Sequence, residues 1–324
     1  MILAPITIAI HTFGRDTRQD LVDDVRSGLA RTPKALPPRW FYDERGSRLF
    51  DAITELPEYY LTHAETSILR ERAADIVAAV QPEAIVELGA GTSTKTRILI
   101  EAAMREGLSW FVPLDISEEV LQESARRLAT DFPGLRVYAI VGDFAAHLDR
   151  VPRCGRQLLA FLGSTIGNLD DRQRSSFLHR VRRLLAPGDA FLLGVDLVKP
   201  EPELIAAYDD AQGVTAEFNR NLLRVLNREL GADFDLDAFE HVAVFDRERS
   251  RMELSLRATR AQHVRLPGAG LSVDFAAGEL MQTEISVKFT RESVERSLRD
   301  SGMAVFHWFT DSGERFALCL CVPA

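Results

Sequence analysis

Cysteine is scarce, with three among 324 residues. That argues against a disulfide framework and fits a reducing cytoplasm. No Cys/His cluster has metal-ligand spacing, so no metal is expected. Basic residues are outnumbered, 39 against 48 acidic, for a formal net charge of −9. A polyanion would be repelled on average, which disfavours nucleic acid as a partner. No apolar run approaches the ~20 residues that span a bilayer, so no membrane is expected either. The opening MILAPITIAIH (1–11) is apolar but lacks a basic start and a small-residue cleavage site. It reads as a packed or frayed arm and not as a secretory signal. Internal repeats and low-complexity tracts are absent. What remains is a globular composition, 46% hydrophobic and 27% charged, in a chain long enough for two domains or for one with an insertion.

From residue 84 strand-like and helix-like segments alternate. AIVELGAG (84–91), WFVPLDI (110–116), RVYAIVGDF (136–144), QLLAFLGSTIGN (157–168) and DAFLLGVDL (189–197) read as strands. Residues 94–107, 117–132 and 171–188 between them have helical periodicity, with Ser117 at an N-cap position. This predicts an α/β fold with a parallel sheet covered on both faces. A helix over 290–302 precedes AVFHWFT and RFALCLCV, which flank the short connection DSGE as an antiparallel hairpin. Cys319 and Cys321 alternate on the last strand as small core residues. Residues 198–289 are far too long for a crossover, where connections run ~2–6 residues. They are expected to form an inserted second α+β lobe, joined by residues 1–63, against a main domain of 64–197 and 290–324.

The turn after the first of these strands carries Gly89 and Gly91, which let the backbone bend tightly and a ligand approach. A third spaced glycine is missing, with Ser93 near its place, so the dinucleotide fingerprint is incomplete. The same turn would also serve a plain strand–helix connection. Asp115 ends the second strand, where a carboxylate can accept from both hydroxyls of a ribose. Asp143 and Phe144 end the third, where an acid can meet an adenine amine and a ring can cover the base. Glycine turn, two acids and a closing antiparallel hairpin resemble the class I S-adenosylmethionine-dependent methyltransferases with their Rossmann-like sheet. In such enzymes the fourth strand's end faces the methyl group. Here it offers Gly163 and Asn168, the latter also placed to cap the following helix. On the strand MQTEISVKF (281–289), Glu284, Ser286 and Lys288 share one face and Ile285, Val287 and Phe289 the other. Glu284 and Ser286 can together grip one heterocycle, or Glu284 can be a surface acid beside Lys288.

Longer motifs narrow the resemblance. LPPRWFYDERGSRLFDAITELPEYY, VELGAGTSTKTR, FLGSTIGNL, AYDDAQGVTAEFNRN, DFDLDAFEHVA, VDFAAGE and TEIS together resemble the histidine-specific Nα-methyltransferases of ergothioneine biosynthesis. The resemblance covers nearly the whole chain. It implies an enzyme that uses three equivalents of S-adenosyl-L-methionine to convert L-histidine, through its mono- and dimethyl forms, into hercynine. It implies that Gly89, Lys95, Asp115, Asp143 and Phe144 contact the methyl donor. Tyr59, Asn168 and Tyr208 would hold the amino-acid end, Asn168 and Tyr59 positioning the amine without a strong general base. Glu284 and Ser286 would hold the imidazole, with Tyr42 as a further wall. Where the family pattern carries a Met–Trp pair, this chain has Leu254 and Ser255. Leu254 would line the side-chain pocket, which bears on fine substrate preference. No catalytic role is read for His63. A cytoplasmic monomer is expected. Three other readings stay open: the same fold acting on another amino acid, a catalytically silent binding module, and a nicotinamide-dependent dehydrogenase.

Overall fold

Apolar runs without polar alternation need cover on both faces, which a parallel sheet between helices supplies. The computed structural model describes residues 8–12 and 17–324. The chain runs through β1 (Ile8–Thr12), α1 (Thr17–Leu29), β2 (Lys34–Ala35), α2 (Glu44–Thr54) and α3 (Tyr60–Val80). Alternation follows: β3 (Ala84–Leu88), α4 (Thr96–Met104), β4 (Trp110–Asp115), α5 (Glu118–Asp131), β5 (Arg136–Val141), α6 (Phe144–His147), β6 (Gln157–Phe161), α7 (Asp171–Leu184) and β7 (Ala190–Asp196). Next come α8 (Glu201–Tyr208), α9 (Val214–Leu230), β8 (Phe239–Asp246), β9 (Arg251–Ala258), β10 (Gln262–Leu266), β11 (Leu271–Phe275) and β12 (Leu280–Val287). The chain closes with α10 (Arg291–Asp300), β13 (Met303–Thr310) and β14 (Phe316–Pro323).

Two compact units result. Of the described residues, the first holds 8–12, 61–198 and 288–324, and the second holds 17–60 and 199–287. The expected lobe of 1–63 and 198–289 therefore differs at its edges. Ile8–Thr12 pairs parallel with β5, whose outer edge it covers. The rest of the expected N-terminal arm lies outside the described residues.

The first unit's sheet has eight strands in the order β1-β5-β4-β3-β6-β7-β14-β13. All pairs are parallel except those of β14, which runs antiparallel to both neighbours. This is the doubly wound sheet with a closing hairpin that the sequence predicts. β3, β6 and β7 are buried along their whole length, as uninterrupted apolar strands require. Strand order reverses beside β3, which opens a crevice at the strands' carboxyl ends. β6 stops at Phe161, short of the predicted 168, because Gly163 and Ser164 adopt φ of +72° and +56°. Thr165–Asn168 is a tight 3₁₀ turn, and Asp170 caps α7 in place of Asn168 through a capping box with Gln173. Cys319 and Cys321 are buried thiols, as expected of core residues. β13 bulges at Phe306, which is 56% exposed at the sheet's edge.

Where the chain re-enters the first unit, Phe289 N–H donates to the Asp196 carbonyl at 2.8 Å and Val198 N–H to the Phe289 carbonyl at 3.0 Å. The Lys288 ammonium lies 2.7 Å from Asp196 Oδ2, both side chains sealed from solvent. Lys288 is thus a core residue, contrary to its reading as a surface neighbour of Glu284.

The second unit has a sheet in the order β2-β12-β9-β8 and a separate β10–β11 hairpin. α8 and α9 pack on β8 and β9, and α2 packs on α9. The stripe Phe218, Leu222, Leu226 and Leu230 of α9 is buried, at the spacing of one helix face. Against β9, β12 shifts register between Gln282 and Glu284, so Thr283 is an extra residue. Its hydroxyl donates to the Leu254 carbonyl at 3.1 Å. The bulge reverses the alternation. Met281 lies opposite Leu256, Glu284 opposite Leu254 and Ser286 opposite Met252, so all six share one face. The expected apolar face fails accordingly: Ile285 and Val287 are only half-buried while Ser286 is buried.

Among the described residues no helix is long and apolar enough to cross a membrane. Removing one partner of a buried ion pair strands the other charge. We expect Lys288→Met to lose about 3–5 kcal/mol in urea denaturation, and Lys288→Met/Asp196→Leu to lose less. A double variant at least as unstable as the single would refute the assignment.

Candidate functional site

In the first unit the glycine turn is built by amide bonds to β4. Gly89 N–H donates to the Leu114 carbonyl at 2.8 Å, and Gly91 N–H to Asp115 Oδ2 at 2.8 Å. Both glycines have positive φ, +71° and +48°. A Cβ at either would meet nothing within 4 Å, so the turn faces open space. Asp115 Oδ1 also accepts from Ser117 N–H at 2.9 Å, while the Ser117 side chain makes no cap bond. Burial pushes the Asp115 carboxyl up from its ordinary value, against the pull of the Ser117, Gly91 and Ile116 amides. At the next strand end, Gly142 N–H donates to the Asp115 carbonyl at 2.8 Å. Asp143 Oδ1 accepts from Ala145 N–H at 2.7 Å and so starts α6. Phe144 stands edge-on to Phe161, ring centroids 5.0 Å apart.

Lys95 precedes α4 and pairs with Glu65 of α3. The Glu65 carboxylate, buried, also accepts from Gly163 N–H at 2.8 Å. A Cβ on Gly163 would lie 3.3 Å from Lys95 Nζ. Lys95 and Gly163, far apart in sequence, are therefore joined through one acid. Asn168 lies half-buried at the end of the loop that Gly163 begins. His63 is exposed on α3.

The second unit gathers the remaining candidates. Tyr208 Oη and Ser286 Oγ share a buried hydrogen bond of 2.9 Å. The Tyr59 and Tyr208 rings meet edge-on at 6.3 Å, and Tyr42 meets Phe50 at 5.6 Å and Phe218 at 5.4 Å. Phe50 in turn meets Tyr59 at 6.3 Å, which makes a continuous chain of rings. Glu284, half-buried, stands opposite Leu254 on the bulged strand. His241 Nε2 lies 2.8 Å from the Tyr208 carbonyl and must donate to it. Its Nδ1 then accepts from Asn219 Nδ2 at 2.8 Å. Burial lowers the His241 pKa, which favours this neutral ring.

The chain matches the family model described as histidine-specific methyltransferase, SAM-dependent, over residues 21–323. The chain belongs to this histidine-specific methyltransferase family. It is 50% identical over 319 residues to a histidine N-alpha-methyltransferase of Mycolicibacterium smegmatis, covering 98% of this chain and 99% of that protein. It is 33% identical over 226 residues to ergothioneine biosynthesis protein 1 of Schizosaccharomyces pombe, which spans 66% of this chain and 29% of that one. Among solved structures, the CcbJ methyltransferase from Streptomyces caelestis aligns at a TM-score of 0.48 and 17% identity, over 87% of this chain and all of that one.

Membership makes this a SAM-dependent methyltransferase, and the first unit's residues fit an adenosyl donor. The glycine turn leaves room for a ligand, and each Asp115 oxygen, after one amide bond, keeps acceptor capacity for a hydroxyl. Among the described residues no group of three His, Cys, Asp or Glu could hold a metal ion. Sequence reasoning missed Glu65, His241, Asn219, Phe50 and Phe218. Only Glu65 left a clear trace: it stands on the buried stripe of α3 between Leu61 and Leu69, where an acid is out of place.

Beneath the glycine turn, the buried Glu87 accepts from the Thr96 hydroxyl. Burial raises its pKa from 4.5 to about 8, against the hydroxyls of Thr96 and Ser93 and the charge of Lys95. The folded protein thus holds a proton that the unfolded chain has lost between these values, so stability falls as pH rises through that window. Glu87→Gln cannot ionise. We expect its unfolding free energy in urea to gain on the wild type between pH 5 and 8, by on the order of a few kcal/mol. Parallel pH dependences would show that Glu87 ionises normally.

Proposed function

We propose that this protein methylates the α-amino group of L-histidine three times to give hercynine, the first step of ergothioneine biosynthesis. Family membership and 50% identity to a histidine N-alpha-methyltransferase support the reaction. The observation that carries the substrate assignment is the bulged face of β12, where Ser286 is bonded to Tyr208 and Glu284 stands beside it in register. Neutral imidazole has one donor and one acceptor nitrogen. A carboxylate takes the first and a hydroxyl serves either. A site of such bonds rejects side chains that leave its groups unpaired, by ~10⁴-fold in favourable cases.

In this reading Gly89, Lys95, Asp115, Asp143 and Phe144 hold the donor, and the second unit binds the amino acid. Tyr59, Tyr208 and Asn168 hold its backbone end, with Gly163 leaving the approach open and Tyr42 completing the wall. S-adenosylmethionine, when bound, supplies a methyl carbon made electrophilic by its sulfonium. The chain's task is to present a free amine. Burying an ammonium disfavours its charged form and promotes proton loss, so no strong base is required. Asn168 and Tyr59 then act by alignment, which can supply several kcal/mol of barrier lowering. Aromatic faces suit the methylated nitrogen as its charge becomes permanent, which favours Tyr59 and Tyr208 at this end. A cytoplasmic monomer completes the reading.

One observation favours keeping a second acceptor in view. Leu254, directly opposite Glu284, shapes the same face and can shift preference among amino acids. Incubating the protein with S-adenosylmethionine and each amino acid, followed by mass spectrometry, decides between them. We expect trimethylated histidine alone, and expect Glu284→Ala to lower kcat/KM for histidine by ~10²-fold or more while narrowing discrimination against phenylalanine. Preference for another amino acid would refute the substrate. Successive methyls remove N–H donors, so the imidazole and carboxylate grips must retain the intermediates. By calorimetry, mono- and dimethylhistidine should bind at least as tightly as histidine; progressive weakening would overturn this mechanism of retention.

A further inference from the structure

Glu65 has no place in the assignments above, yet its surroundings are unusual. Its side chain is 1% exposed. Charged groups are almost never so buried unless paired. Its oxygens accept from Gly163 N–H at 2.8 and 3.0 Å and bind the Lys95 ammonium. Space for the carboxylate comes from β7: a Cβ on Gly194 would fall 2.3 Å from Glu65 Oε1. Lys95 is less sealed, its side chain 25% exposed. The anion is thus fixed inside, while the cation borders the crevice between the glycine turn and the β6 loop.

This arrangement has an electrostatic consequence. The proposed donor carries a positive sulfonium, whereas the product left after transfer is a neutral thioether. An uncompensated Lys95 would repel the former and be indifferent to the latter's sulfur. We propose that Glu65 is the counter-charge of the donor site, a positioning residue that holds Lys95 and Gly163 and suits the crevice to a sulfonium over a thioether. The inference rests on the donor assignment above. Charge at a few ångströms acts strongly in such a partly desolvated setting. A purely structural brace would instead affect both ligands alike.

Calorimetric titration of S-adenosylmethionine and S-adenosylhomocysteine separates the two cases. Glu65→Gln keeps an oxygen for Gly163 and removes the charge. We expect it to lower the affinity ratio of sulfonium over thioether by about tenfold. Should that variant not fold, Lys95→Met is the second test: with the cation gone, the sulfonium becomes the available partner of the Glu65 carboxyl, so the ratio should rise by about tenfold, and a ratio that stays or falls would overturn the proposal. Equal weakening of both ligands, or no change, would overturn the proposal. A wild-type protein that bound neither ligand would instead overturn the donor assignment beneath it.

Discussion

One extra residue in β12 governs which side chains share a face of the second unit's sheet. Without the bulge at Thr283, Met281 and Glu284, three residues apart, would point to opposite faces, because side chains alternate along a strand. With it, both face the side on which Leu254, Leu256 and Met252 lie. The slip is held by a specific bond, from the Thr283 hydroxyl to the Leu254 carbonyl. An acid and a hydroxyl thereby enter an apolar surface without a costly register error elsewhere. Tyr208 then satisfies Ser286, and His241 with Asn219 fixes the backbone of Tyr208. Ser286, Tyr208 and His241 are thus each positioned by another polar group, a condition for buried networks to hold one geometry.

The first unit solves a related problem with backbone. Its crevice is lined by carboxylates, and a carboxylate out of water needs donors. Asp115 takes amides from Gly91 and Ser117, Asp143 takes one from Ala145, and Glu65 takes Gly163. These bonds also set the conformation of the loops that carry them. The acids therefore shape the turns that carry them.

Periodicity and turn chemistry made the parallel sheet, the closing hairpin and the inserted lobe legible. Uninterrupted apolar strands demand cover on both faces, and residues 198–289 exceed the length of any ordinary crossover. Glycines at strand ends pointed to the crevice. What stayed hidden depends on distant contacts. The pairing of β1 with β5 needs knowledge of a free edge. The Thr283 bulge is invisible in a segment whose local pattern alternates plausibly. Lys288 looked like a surface residue because its partner, Asp196, is 92 positions away in sequence. His241 and Asn219 sit in segments whose character is set by packing, and no local spacing marks them.

The kink at Phe306 has a different bearing, on how copies of the molecule coexist in a crowded solution. β13 ends the large sheet, and an outermost strand offers its free N–H and C=O groups to any other chain. The displaced residue there breaks the even spacing of those groups and turns a ring outward. A foreign strand would find no continuous ladder to extend, so the sheet can be wide without inviting its own polymerisation.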